Sequence, residues 1–308
     1  MQLEIINCPI CDAVEHRLIF KSKDYRFKAS DETFNIVRCI KCDFIFLNPR
    51  PSQSESAIFY PRIFYQVKDR FVYKLFGVFY RGIQALNNRI VLREKRSGRL
   101  LDIGCGRGDF LLSMQRKGYD VYGVEVSGHI KPFIPGVLKN RIFEKKVEEC
   151  RFPGESFDIV TMFQSLEHIH NLNSLMQEIK RILKPDGLLY FSVPNFNFFE
   201  YRILGPYAYT LEVPRHLYFF TKYSLNNLLD KHGFANKHFR RCFIGEFFST
   251  PASIYHGVWY YMHDKLQFKN KTLEIFLYLP LVLLGMLLHV LLVFEGHTLH
   301  VTCRKSSS

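Results

Sequence analysis

The sequence predicts an α/β fold: a mostly parallel sheet covered by helices, with a small cysteine-bearing module ahead of it and an apolar insertion near its end. Three observations predict this. From Arg99 onward, short apolar runs alternate with stretches of helical period; four of the eight cysteines form two C-x2-C pairs among the first 42 residues; and Ile275–Phe294 is a 20-residue run without a charge. At ~100–200 residues per domain, a chain of 308 residues exceeds one small module. Apolar content of 47% with 23% charged residues excludes a disordered or collagen-like chain.

The N-terminal pairs are Cys8-Pro9-Ile10-Cys11 and Cys39-Ile40-Lys41-Cys42, separated by 27 residues. This spacing presents four thiolates tetrahedrally, which suits Zn²⁺ and its ~2.3 Å Zn–S bonds. The competing reading is a pair of disulfides in a secreted domain. No basic-then-apolar leader precedes Cys8, so a reducing cytoplasm is expected and the thiolates should persist. Cysteine takes all four coordination positions, so the zinc is expected to be structural rather than catalytic. Strand-like runs at His16–Phe20, Phe34–Arg38 and Phe44–Leu47, then the break at Asn48-Pro49-Arg50-Pro51, complete a zinc ribbon over residues 1–60.

Residues 61–98 read as a basic amphipathic helical linker. Val72, Leu75, Phe76, Phe79, Ile83, Leu86 and Ile90 fall on one face, and Arg70, Lys74 and Arg81 on the opposite one. The net charge of +13, which with 16% aromatic residues points to an anionic partner, is concentrated here. This stretch holds 9 Lys+Arg against 2 Asp+Glu, whereas residues 1–60 hold 8 of each and residues 99–194 hold 13 against 12. Residues 195–308 hold 12 against 7. Two readings stand: a helix packed on the core with a solvated basic face, or a face turned to a membrane surface or a substrate diphosphate.

From Arg99, strands are expected at Arg99–Ile103, Asp120–Glu125, Arg141–Phe143, Phe157–Met162 and Leu188–Val193. Helices are expected at Gly108–Lys117, Ser127–Lys139 (interrupted by proline) and Asn171–Leu183. Repeated β-α units imply a parallel sheet with helices on both faces. Its ligand belongs outside the carboxyl ends of the strands.

The first strand-to-helix turn reads Leu100-Leu101-Asp102-Ile103-Gly104-Cys105-Gly106-Arg107-Gly108. Glycines at 104, 106 and 108 let the backbone turn tightly and approach a ligand closely. A lone G-x-G-x-x-G would suggest a dinucleotide; here the spacing is G-x-G-x-G with an acid before it. Glu125, ending the second strand, supplies a carboxylate suited to two ribose hydroxyls. Val147-Glu148 follows the third strand, placed to flank an adenine. Further along come Phe157-Asp158-Ile159-Val160, Leu166-Glu167-His168, Leu183-Lys184-Pro185-Asp186-Gly187-Leu188 and Phe191-Ser192-Val193-Pro194-Asn195.

With these motifs in this order, the chain resembles the class I S-adenosylmethionine-dependent methyltransferases. The resemblance implies a Rossmann-like seven-stranded sheet. Its core would span residues 99–245, with a hydrophobic insertion at 246–296 and the last strand and tail at 297–308. It also implies S-adenosylmethionine as cofactor, with Gly104, Gly106 and Gly108 under the methionyl part. Asp102 would hold that loop or reach the amino group through water. Glu125 would take the ribose, Val147 and Glu148 the adenine end, and Gln164 the wall by the sulfonium. Cys105 and Val126 complete the expected cofactor contacts. The family's reaction is a displacement at the sulfonium methyl, where the protein mainly aligns the partners. A base is needed only for a hydroxyl or carbon-acid acceptor. The candidates are His168 of the Leu-Glu-His motif and His216 in Val213-Pro214-Arg215-His216-Leu217-Tyr218. A histidine that merely orders its loop is the plainer alternative. Glu167 and His168 also resemble the metal-binding stretch of quinone O-methyltransferases. Gln164 stands where those carry a further acid, so no divalent catalytic metal is expected.

For the acceptor, Gln164-Ser165-Leu166-Glu167 replaces the Asn-Pro-Pro-Tyr-like tetrapeptide of base-amino methyltransferases, which argues against adenine or cytosine. A zinc ribbon before a methyltransferase also occurs in ribosomal-RNA guanine methyltransferases, so an RNA methyltransferase is the rival. The paired cysteines followed by Phe46-Leu47-Asn48-Pro49-Arg50-Pro51 look instead like bacterial methyltransferases of surface-glycan gene clusters. An inactive cofactor-binding scaffold is the non-enzymatic alternative.

The run Ile275–Phe294 contains Pro280, Gly285 and His289. At ~1.5 Å per residue it could cross a ~30 Å hydrocarbon layer. Yet Lys237–Gly245 and Thr298–Arg304 look like the last two strands, which in this family pair in one sheet, so a single crossing is excluded. Phe247–Met262 could form a second leg, the run could bend at Pro280–Gly285, or it could lie flat or pack on the fold. Trp259, Tyr260 and Tyr261 beside Lys265 resemble an interfacial aromatic belt. The expectation is a cytoplasmic enzyme in peripheral or monotopic contact with the inner membrane face. Its acceptor would be a sugar, a glycolipid or lipid-linked glycan, or an isoprenoid-linked small molecule.

Overall fold

The structure, a computed structural model, describes residues 1–60, 71–241, 249–267, 271–291 and 296–306. The chain divides into two compact units. One comprises Met1–Pro61, Pro194–Ser224 and Arg241–Leu299; the other comprises Arg62–Val193, Leu225–Arg240 and His300–Ser308.

The first unit begins with β1 (Leu3–Glu4), β2 (His16–Lys23), β3 (Thr33–Cys39), β4 (Ile45–Leu47) and β5 (Arg50–Pro51). β2 and β3 pair antiparallel from His16↔Cys39 to Lys23↔Thr33, and β3 pairs with β4. Ile36 and Val37 of β3 point to opposite faces and both are buried, as is all of β4, so the centre of this sheet is covered on both sides. β1 and β5 form a separate two-stranded ribbon.

In the second unit α1 (Phe71–Glu94) leads to β6 (Arg99–Ile103), α2 (Asp109–Gln115), β7 (Asp120–Val124), β8 (Ile142–Phe143), β9 (Phe157–Phe163), α3 (Leu172–Ile182) and β10 (Leu183–Pro194). The expected opening of α1, residues 64–70, lies outside the described residues, as do the side chains of 71–81, including Lys74 and Arg81. Parallel registers join β6 to β7 and β9, β7 to β8, and β9 to β10. β9 and β10 are covered on both faces, so they read as nearly continuous apolar runs, which is the signature of a parallel sheet. α3 shows how these helices form. Asn171 Oδ1 accepts the Ser174 N–H at 3.0 Å, satisfying one free donor of the first turn. Leu172, Leu175, Met176, Ile179 and Ile182 then bury one stripe.

The chain continues through α4 (Phe199–Leu204), β11 (Tyr218–Phe219), α5 (Lys222–Lys231), β12 (Phe234–Arg241), α6 (Ser249–Lys265), α7 (Lys271–Leu291) and β13 (Thr298–Lys305). The large sheet is seven-stranded, in the order β12-β13-β10-β9-β6-β7-β8, the Rossmann-like arrangement expected. β11 adds to the small sheet, giving β11-β4-β3-β2. The sequence predicts the last strands at Lys237–Gly245 and Thr298–Arg304. β12 starts three residues earlier, and 242–245 lie outside the described residues.

One expected helix does not form. Ser127–Lys139 is two 3-10 turns, Gly128–Phe133 and Gly136–Leu138. Pro132 and Pro135 lack the N–H an α-helix needs, and Gly128 and Gly136 weaken the segment further. The apolar insertion is a helical pair. The Gly285 Cα approaches Pro251 so closely that a Cβ would lie 2.5 Å from the Pro251 Cα. Tyr255 of α6 meets Tyr278 of α7 at 4.9 Å between ring centroids. Phe247–Met262 is thus a helix packed against the run, from Ser249 onward, and not shown as a membrane leg; residues 247 and 248 lie outside the described residues, as do 292–294. Phe276, Leu279, Leu283 and Leu287 form an exposed stripe on α7. Among the described residues, no helix is long and apolar enough to cross a membrane.

Candidate functional site

The chemistry-bearing residues of the second unit gather at the carboxyl ends of β6 and β7. The backbone N–H groups of Gly104 and Cys105 donate to Val124 O at 2.8 and 3.2 Å, folding the loop over the end of β7. Gly104 has φ +75°, and a Cβ there would sit 2.2 Å from Ser165 Oγ. Gly106, at φ +52°, has nothing within 4 Å of its Cβ position, so its demand is purely conformational. A Cβ at Gly108 would press Leu138 and Ile142 at 2.8 and 2.9 Å.

Two acids flank this loop, and Glu125 anchors it. Glu125 accepts the N–H of Gly106 on one carboxylate oxygen (3.1 Å) and that of Ser127 on the other (3.0 Å). Burial raises its pKa against those bonds. Asp102 is buried and accepts the Thr161 hydroxyl at 2.7 Å. Burial lifts its carboxyl to about 7; the Thr161 bond opposes the shift and the Glu125 charge adds to it. Cys105 packs its sulfur against Gly123, where a Cβ would lie 2.6 Å away. Burial, with the charges of Asp102 and Glu125, drives this thiol well above its ordinary range.

Asp102, Gly104, Cys105, Gly106, Gly108 and Glu125 are therefore brought together. Gln164 follows β9 with φ +50° and donates its N–H to Ser192 O at 2.9 Å. Its neighbour Ser165 closes on Gly104. Val126 is exposed. Val147 is buried and Glu148 half-buried on a 3-10 turn after β8. Glu167, fully buried in the turn Leu166–His168, has its carboxyl raised by burial to about 8. Thr161 and Ser165 were not foreseen as contributors. A hydroxyl side chain within the apolar stretch Ile159–Phe163 was the available sign of the first.

His216 belongs to the first unit and His168 to the second. Buried His216 donates its Nδ1 proton to Thr210 O at 3.0 Å, since a carbonyl only accepts; Nε2 is then the basic nitrogen. Thr210 is itself held through its hydroxyl, which donates to fully buried Glu200 at 3.1 Å. Next to His216, Arg215 pairs with Asp24 at 3.1 Å, both side chains essentially inaccessible. The segment Val213–Tyr218 is thus locked within its unit.

Cys8, Cys11, Cys39 and Cys42 place their sulfurs within 4.8 Å of one another. Cys8–Cys42 and Cys11–Cys39 are each 3.5 Å apart. A tetrahedral zinc requires S···S edges of about 3.8 Å, so the donor set fits that ion. The two knuckles repeat one backbone pattern. Asp12 N–H donates to Cys8 O and Asp43 N–H to Cys39 O, with φ +60° and +58° at the two aspartates.

A family model described as "Methyltransferase domain" matches residues 76–238, more than half of the chain. The ubiquinone biosynthesis O-methyltransferase of Photobacterium profundum is 30% identical over 105 residues, covering 32% of this chain and 45% of that protein. The enzyme of the same name from Dechloromonas aromatica is 36% identical over 110 residues, with 32% and 45% covered. The chain thus spans less than half the length of these curated relatives. Among solved structures, geranyl diphosphate C-methyltransferase of Streptomyces coelicolor aligns with a TM-score of 0.50 at 12% identity, covering 78% of this chain and 86% of that one. The phosphoethanolamine N-methyltransferase 2 of Haemonchus contortus aligns with a TM-score of 0.51 at 16% identity, covering 94% and 71%. At such identities the likeness is one of fold.

Proposed function

The chain belongs to the methyltransferase-domain family, and from that premise we propose that it methylates a sugar, glycolipid or isoprenoid-linked acceptor at the cytoplasmic face of a membrane, using S-adenosylmethionine. The observation that carries the cofactor reading is the loop anchored by Glu125 beside buried Asp102, with three positive-φ glycines at the carboxyl ends of β6 and β7. When bound, S-adenosylmethionine supplies a methyl on a sulfonium centre. Gly104, Gly106 and Gly108 then admit its methionyl part, and Glu125 accepts the ribose hydroxyls. The four thiolates hold a structural zinc.

Oxygen is the favoured acceptor atom, because the curated relatives are named O-methyltransferases. A hydroxyl needs a proton acceptor, and we assign that role to His216, whose ring is oriented by its Nδ1 bond to Thr210 O. The exposed apolar stripe of α7 supports the membrane setting. Mass spectrometry of lipids and glycans from cells with and without the protein tests the acceptor. A 14-dalton difference in one species is expected; its absence from every acceptor class would refute this reading. Calorimetry tests the cofactor separately, and no binding at about 1 mM would remove the enzyme reading altogether.

The raised carboxyl of Asp102 gives a pH dependence. With a pKa of about 7, the ionised fraction falls from about 0.9 at pH 8 to about 0.1 at pH 6. A cofactor that presents its amino cation to Asp102 selects the ionised form, so affinity should weaken about tenfold across that interval. Stability runs the other way. This group favours the cofactor-free fold below its ordinary 3.8 and loses that contribution as pH rises through 7. In Asp102→Asn the affinity profile should flatten. An unchanged slope would show that another group titrates.

A further inference from the structure

The sheet-bearing unit carries a second charged feature, away from the cofactor loop. A hollow of about 440 Å³ is lined by Asn88, Arg89, Arg93, Arg96 and Lys117, with two aliphatic side chains between them. Arg89 and Arg93 lie one turn apart on α1, Arg96 just beyond its end, and Lys117 follows α2. Among the described residues, none of the four cations has an acidic partner. The acid nearest in sequence, Glu94, is already held on one oxygen by Arg240 (2.9 Å) and on the other by Arg304 (3.2 Å). Four like charges around one hollow repel each other, and an anion seated among them would relieve that repulsion.

Asn88 supplies an independent observation. It is 8% exposed, its amide nitrogen donates to Ser113 Oγ at 2.8 Å, and its amide oxygen is buried without a partner. A hydroxyl can donate as well as accept. With the amide turned over, Ser113 donates to the oxygen, and the buried unpaired atom of this lining residue becomes an NH₂ donor. The site then offers one buried amide, three guanidinium forks and one ammonium. That set suits a compact anion with several oxygens, above all a phosphoryl group.

Its place in the fold separates it from methyl transfer. Arg96 and Lys117 precede the first residues of β6 and β7, whose registered pair is Arg99↔Asp120. The cofactor loop follows the other ends of these five-residue strands, about 13 Å away along the sheet. We propose that this hollow is a phosphoryl-binding site, taking a phosphate ester or diphosphate that docks the protein rather than receives the methyl.

The test uses the full chain and its Arg93→Glu/Lys117→Glu variant, with circular dichroism and S-adenosylmethionine binding confirming that the variant is folded. If it is not, Arg93→Gln and Lys117→Gln replace it. Inorganic pyrophosphate, at ionic strength matched with chloride, should raise the melting temperature of the parent. Its affinity should drop about tenfold or more in the variant. Vesicles of phosphatidylglycerol in phosphatidylcholine, against phosphatidylcholine alone, distinguish the source. Anionic vesicles bound by the parent and lost by the variant indicate a lipid headgroup. A pyrophosphate effect without vesicle binding indicates a soluble ligand. The proposal is overturned if pyrophosphate and anionic vesicles act equally on both proteins, or if only a short RNA discriminates between them. These readouts do not involve methyl transfer, so they stand or fall separately from the acceptor.

Discussion

Cys39→Ser is expected to take the bound zinc from about one per chain to a small fraction of that, and to lower the melting temperature of the first unit. Cys39 is fully buried at the end of β3. Its own N–H donates to Phe44 O, and its carbonyl accepts from Asp43. Serine preserves the shape but supplies a hydroxyl where a thiolate must bind. Structural zinc in small fingers contributes on the order of 10 kcal/mol. Here the loss should be smaller, because Phe34, Ile36 and Phe46 are buried in the same sheet, with Phe44 buried beside them, and remain after the metal leaves. Metal analysis and thermal unfolding of the variant, with and without a chelator, measure both effects. Full zinc content in Cys39→Ser would contradict a four-thiolate site.

Gly104→Val should abolish S-adenosylmethionine binding in the concentration range where the parent saturates, a loss of at least about 100-fold. Two penalties add. A β-branched residue at φ +75° is conformationally disfavoured by at least about 1–2 kcal/mol. Its Cβ would also overlap Ser165 Oγ at 2.2 Å, and Ser165 is itself buried. Relieving that overlap moves either the loop or the segment after β9. Gly106→Ala serves as the internal comparison. Its φ of +52° carries the conformational penalty without any close neighbour, so binding should weaken far less than in Gly104→Val. Equal losses in the two would show that the contact with Ser165 does not matter.

These contrasts mark what was legible in the sequence. The glycines and Glu125 were, because a tight turn and a strand-end carboxylate are set by local spacing. β9 and the second half of β10 were too, since burial on both faces leaves nearly continuous apolar runs. Thr161 was not, because its bond to Asp102 depends on the register between β6 and β9, and pairing across 59 residues leaves no periodic trace. The segment Ser127–Lys139 misled because its apolar spacing imitates a helix, while its two prolines forbid the α-helical ladder. Ser165 stood in plain view between Gln164 and Leu166, yet only the fold brings it against Gly104. The unpaired cations of the hollow were visible as charge, but their convergence with Lys117 depends on how α1 and α2 meet.

The order of strands in the large sheet also bears on how the protein is made. β13 is the last of the described strands along the chain, yet it lies inside the sheet, between β10 and β12. While a ribosome is still adding residues before Thr298, β10 shows an unclaimed edge and β12 has no strand to join. Leu299, Val301 and Cys303, all buried once β13 is seated, arrive after nearly everything they cover. The sheet is therefore completed by late insertion rather than by growth at its margin. A nascent chain stalled short of Thr298 leaves both neighbours of β13 without their pairing partner.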